Sequence, residues 1–179
     1  MKDNMTFKVG DKIVRFGQLY RIFKIKRQKT KGKEERTIFF RAYFRTKQNR
    51  TLTCSIPVKN IDKATIRRPI SKKELKILLK KFSKKFDIKK PISLAQVRGV
   101  LDLNDMDETA WILKNLWIEK KDKSKNFSES KKNVFRALKK QLIEEVACVS
   151  GISLVKAREK IKAVLKGGTK NDKQNKTQK

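Results

Sequence analysis

Between Phe7 and Ile66 the apolar residues fall in short runs broken by polar turns, whereas beyond Pro69 they recur three and four residues apart. That change of period constrains the fold more than any other feature, because a period near two describes a sheet surface and one near 3.6 a helix face. Strand signals followed by helix signals, in succession and without alternation, point to an α+β protein with its two parts segregated. A chain of 179 residues has room for two small domains. The expected boundaries are 1–69 for the β part and 70–168 for the helical part. The remaining 169–179 hold no apolar side chain that could anchor them, so a disordered basic tail is expected there.

Five strands are expected, over Lys12–Arg15, Leu19–Arg27, Glu35–Tyr43, Thr51–Pro57 and a short one near Ala64–Arg68. Gly10-Asp11, Phe16-Gly17, Lys31-Gly32 and Lys47–Asn49 supply the turns. Consecutive short strands suggest a meander, and closing it into a small Tudor- or SH3-like antiparallel barrel would remove the exposed edges.

The helical part opens with a capping box, Ser71 with Glu74 three residues on, and Leu75, Leu78, Leu79 and Phe82 then predict a helix over about 72–84. A helix over Ser93–Leu101 is possible after the break at Phe86–Pro91. Asn104 or Asp105 caps a longer helix ending near Lys121, with Met106, Ala110, Leu113 and Trp117 on its apolar face. Ser128 opens another, carrying Val134, Leu138, Leu142 and Val146. Ser153 opens the last, with Val155, Ile161, Val164 and Leu165, and Gly167-Gly168 ends it. Trp111 and Trp117 are both expected in the core or at its edge.

Forty-nine Lys and Arg against 18 Asp and Glu give a formal charge of +31, a field that attracts polyanions and makes their binding salt-sensitive. Residues 1–69 alone hold 20 basic and 5 acidic side chains. The chain has no His and two Cys, one in each part, so neither a zinc site nor a disulfide framework is expected. Without His, a phosphate-binding glycine loop or a nucleophile elbow, no catalytic function, cofactor or small-molecule substrate is expected. No apolar run approaches the roughly 20 residues of a membrane span, and the N-terminus lacks the features of a secretory signal, so a cytoplasmic protein is expected.

Four stretches, in order, carry a family resemblance. Phe7-Lys8-Val9-Gly10-Asp11-Lys12-Ile13-Val14 is similar to an FxVGDxVV opening. Lys31-Gly32 followed by Glu35 is similar to a K-G-x-x-x-E hairpin, and Leu52–Pro57 followed by Asn60 to the last barrel strands. Asn104-Asp105, Ala110, Leu113, Leu116-Trp117, Ser128-Glu129 and Glu144-Glu145 follow a helical pattern of the same kind. Together they resemble the CarD/CdnL family from Phe7 to about Leu165.

The resemblance implies a non-enzymatic bacterial transcription factor. Its barrel would bind a lobe of the RNA polymerase β subunit, and its helical part promoter DNA at the upstream edge of the transcription bubble. The family's polymerase contacts include Arg on the second and fourth strands. Arg27 or Gln28 stands at the first of these positions and Ser55 at the second, with Lys29, Arg36, Arg41 and Arg50 as neighbouring cations. Arg can fork onto a carboxylate in a way that Lys cannot. Leu94 stands where the family has a Trp that wedges into the minor groove, and Leu is an apolar side chain of the kind that can enter a base step. It serves equally as a buried helix residue packing with Val97 and Leu101. Lys84, Lys85, Lys89, Lys90 and Arg98 surround it and can track phosphates without reading bases. Two alternatives remain open from composition alone: an RNA- or ribosome-associated protein and a DNA-architectural protein.

Overall fold

The longest pairing in the computed structural model is an antiparallel hairpin of β2 (Gln18–Thr30) and β3 (Lys33–Ala42). The structure describes residues 6–30, 33–83, 104–122 and 126–167, with the side chains of 28–30, 33 and 167 excepted. They divide into two compact units whose boundary in the chain lies between Pro69 and Ile70.

In the first unit, β1 (Lys12–Arg15) pairs with β2 through a turn at Phe16-Gly17. Both turn residues have positive φ, 47° and 67°, the backbone twist that suits a two-residue hairpin. The pairing of β2 with β3 slips between Ile22 and Lys24. That slip inserts Phe23 as an extra residue, so Ile22 and Ile25, three apart, both reach the core side. β4 (Cys54–Pro57) adds to β3, and β5 (Ile66–Arg67) adds to β1 after two short 3-10 turns at Val58–Asn60 and Asp62–Ala64. The strand order is therefore β4-β3-β2-β1-β5, all antiparallel. Phe7, Ile13, Ile22, Ile38, Phe40, Ile56, Ile61 and Ile66 fill its concave side.

The sheet is a curled half-barrel and not the closed barrel expected from its edges: β4 and β5 are both edge strands. Their lengths, four residues and two, leave few unpaired backbone groups, so short edges limit the exposure that closure was expected to remove. β4 is also shorter than the expected Thr51–Pro57. The reason is a compact turn before it. Asn49 Oδ1 accepts from Thr46 N at 2.6 Å, Asn49 Nδ2 donates to the Phe44 carbonyl at 3.2 Å, and Leu52 N donates to the Asn49 carbonyl at 3.2 Å. The expected Lys31-Gly32 turn lies outside the described residues.

Among the described residues the second unit has four helices: α1 (Lys72–Ser83), α2 (Met106–Lys121), α3 (Glu129–Ser150) and α4 (Leu154–Gly167). The capping box is formed reciprocally, Ser71 N donating to Glu74 Oε2 at 2.6 Å and Glu74 N to Ser71 Oγ at 3.2 Å. Asp105 caps α2 by accepting from Asp107 N and Glu108 N, and Ser128 caps α3. Gly151 (φ 66°) closes α3 in the left-handed conformation. Leu113, Leu116, Leu138, Leu142, Val146, Ile161 and Leu165 are almost completely buried and form the core. No helix among the described residues is long and apolar enough to cross a membrane. The expected helix over Ser93–Leu101 and the tail over 169–179 lie outside the described residues.

Three expectations about helix faces are corrected. Val155 is 64 % exposed, and Ala157 is buried with Ile161 and Leu165, since Val155 lies about 200° around the helix from Ala157. Phe135, not the half-buried Val134, enters the core of α3. Trp111 is 44 % exposed. It stands about 240° around α2 from Trp117, on the polar stripe of Asp107 and Glu108.

Candidate functional site

Register, which sequence patterns do not reveal, sorts the candidate residues of the β unit into two groups. Directly paired residues share a face of a sheet. Arg27 pairs with Arg36, two positions beyond the core pair Ile25 and Ile38, so these two guanidinium groups extend the concave side past the end of the core. Both are exposed. A shallow groove of about 480 Å³ runs beside them, lined also by Lys8, Val9, Ile25 and Lys26.

Arg41 and Ser55 lie on the other, convex face: Ser55 is opposite Phe39, and Arg41 is two residues further along β3. The expected set of contacts is thus not one patch. Gln28 and Lys29 continue β2 opposite Glu35 and Glu34, and their side chains lie outside the described residues. Glu35 forms an ion pair with Lys59.

The convex face also holds residues the sequence reading did not single out. Lys12 pairs with Arg21 across β1 and β2, and Arg21 pairs with Arg41 across β2 and β3, which makes a row of three cations over three adjacent strands. The Arg41 guanidinium sits 5.1 Å from the centroid of the Phe23 ring, and Phe23 meets Phe39 edge to face at 6.5 Å. Lys12 Nζ lies 4.9 Å from the Tyr43 ring centroid. Such contacts orient cations on the sheet surface, each contributing about 0.5–1 kcal/mol where solvent reaches it. The only sequence signal was the strength of charge in this region. Which charges stand side by side depends on the bulge at Phe23.

In the helical unit, Lys84, Lys85, Lys89, Lys90, Leu94 and Arg98 lie outside the described residues. α1 presents Lys72, Lys73, Lys76, Lys80 and Lys81 as exposed cations. Lys81 Nζ is 3.4 Å from Asp107 of α2, across a groove of about 420 Å³ lined by Leu78, Phe82, Ala110 and Trp111.

Two charged side chains are buried for structural reasons. Lys114 Nζ donates to the Phe82 carbonyl in the last turn of α1 and lies 5.7 Å from the Phe82 ring centroid. Burial holds its ammonium below the usual lysine range. Glu145 Oε1 accepts from Ile70 N at 2.9 Å, tying the residue before the capping box to α3. Neighbouring Glu144 is pushed up by burial, partly offset by Lys140 one turn away.

Among the described residues no group of three or more Cys, Asp or Glu is placed to hold a metal ion. In comparisons with known proteins the chain matches no protein-family model and no curated protein.

Proposed function

We propose that this chain is a non-enzymatic bacterial transcription factor of the CarD-like kind. Its β unit docks on the β subunit of RNA polymerase, and its helical unit holds promoter DNA near the upstream edge of the transcription bubble, modulating the stability of the open complex. The observation that carries this reading is the wiring of the β unit. The order β4-β3-β2-β1-β5, a long β2 broken by a bulge, and 3-10 turns leading into a short β5 are compatible with a small sheet of the Tudor or SH3 kind, left open here between its two short edge strands. That is the fold the resemblance assigns to the polymerase-docking domain.

The row of Lys12, Arg21 and Arg41 supports an acidic protein partner. Guanidinium groups on a rigid sheet can each fork onto a carboxylate with little loss of side-chain freedom. A helical unit with basic helices then needs only backbone contacts to DNA. Recruitment through the β unit raises the local concentration for that second, weaker contact.

The test is co-purification of the full chain with a fragment of the polymerase β lobe, comparing the wild type with Arg41→Glu and Arg27→Glu. Because these residues lie on opposite faces, the stronger loss identifies the docking face. Retention of nucleic acid without any capture of the lobe would replace this reading by an RNA-binding or DNA-architectural one.

A further inference from the structure

Lys120 of α2 and Lys139 of α3 meet over one aromatic ring, and Arg158 and Lys162 of α4 are near enough for their charges to act on the Lys139 ammonium. Lys120 is in the last turn of α2, Lys139 stands in the middle of α3, and Arg158 and Lys162 are one turn apart on α4. Lys120 Nζ is 5.3 Å and Lys139 Nζ 6.0 Å from the centroid of the same Phe135 ring. Trp117 stacks on that ring at 6.3 Å with 17° between planes, and Lys121 Nζ lies 5.2 Å from the Trp117 centroid. The Lys139 ammonium is held below its usual range first by burial, then by the charges of Arg158, Lys120 and Lys162.

Nearby cations of these helices are treated differently. Lys131 pairs with Glu119, Lys132 with Glu129 and Lys140 with Glu144. None of Lys120, Lys139, Arg158 and Lys162 pairs with a carboxylate among the described residues. Mutual repulsion opposes folding of such a group, and an anion in contact with it reverses the sign.

From this geometry we infer that Lys120, Lys139, Arg158 and Lys162 form an anion-binding face of the helical unit, made of residues other than those the resemblance points to, which takes the phosphate backbone of duplex DNA. The inference rests on the DNA-contacting role proposed above for this unit and adds a site to it. The chemistry favours a duplex over a single strand. Phe135 is buried and its ring is occupied by Trp117 and two lysines, so the face offers cations and no free ring for an unstacked base.

The test uses the full chain and a labelled duplex of about 20 base pairs, with affinity followed by fluorescence anisotropy between roughly 50 and 200 mM salt. The variant K120Q/K139Q/R158Q/K162Q is compared with R45Q/K47Q/R50Q/K63Q, which removes the same charge from exposed positions of the β unit. The expected result is a loss of about 3–4 from the slope of log affinity against log salt in the first variant and less than about 1 in the second, since each phosphate contact contributes roughly 0.9. The first variant is also expected to melt at or above the wild-type temperature, because repulsion has been removed. Equal slopes in the two variants would reduce the effect to net charge and overturn the inference. A wild-type slope retained by the first variant would overturn it while leaving DNA binding to other residues. No duplex binding by the wild type would overturn the inference and the DNA-contacting reading together. Should the first variant fail to fold, R158Q/K162Q alone carries the test through two exposed positions, with an expected slope loss of about 2.

Discussion

Arg27 on β2 stands directly opposite Arg36 on β3, a pair of like charges in register three residues before the Thr30–Lys33 pair that ends the longest hairpin. Like charges in this position destabilise a sheet, and opposite ones stabilise it, by roughly 0.2–1 kcal/mol. Arg36→Glu is therefore expected to raise the unfolding midpoint slightly. If the concave side docks on an acidic polymerase surface, the same substitution weakens capture of the β lobe. Thermal unfolding and co-purification on one protein sample measure both, and a stabilised variant that binds as well as the wild type would remove Arg36 from the docking face.

Glu145 is buried and accepts the backbone N–H of Ile70. Glu145→Ala strands that donor and is expected to cost about 1–3 kcal/mol in denaturant unfolding. Glu145→Gln keeps an acceptor of the same length and is expected to cost less. Equal losses in the two variants would mean that the charge, and not this hydrogen bond, is what the site requires.

Phe135 holds the stack with Trp117 and the edge contact with Phe127 at 6.5 Å. Its replacement by Ala leaves a cavity between α2 and α3 and is expected to cost about 3–5 kcal/mol. A urea titration followed by tryptophan fluorescence measures this directly, because Trp117 reports on the same site.

Gly151 turns the chain from α3 to α4 with φ 66°, and a Cβ built there meets nothing within 4 Å. Gly151→Ala is therefore expected to cost about 1–2 kcal/mol through backbone strain alone. Gly151→Asn is expected to recover part of that, since Asn tolerates the left-handed region. A loss in the Ala variant well beyond this range would point to a steric cause the geometry does not contain.

Burial raises the Glu144 carboxyl above its ordinary value. Between its ordinary value and the raised one, the folded protein holds more protons than the unfolded chain, so this residue makes stability fall as pH rises through that window. Glu144→Gln is expected to be more stable than wild type near neutral pH and to match it below the ordinary carboxylate range. Unfolding midpoints measured across acid pH check the sign, and a variant less stable at neutral pH would show that the Lys140 contact outweighs burial.

Local chemistry made the element sequence legible. Ser71 and Glu74 marked the start of α1, Asp105 and Ser128 capped α2 and α3, and Phe16-Gly17 placed the first hairpin turn, because capping and turn conformations depend on a few neighbouring residues. Composition likewise set the sign and strength of the charge. What tertiary structure decided is adjacency. The bulge at Phe23 put Arg21 beside Arg41 and parted it from Arg27, six residues along the same strand, the rotation of α2 left Trp111 exposed, and the packing of α2, α3 and α4 brought the charges of Lys120, Arg158 and Lys162 to bear on Lys139 from positions up to 42 residues apart. The physical reason is that caps and turns are satisfied within one element, whereas register and helix rotation are fixed by burial against other elements, which a pattern read along one strand or helix does not contain.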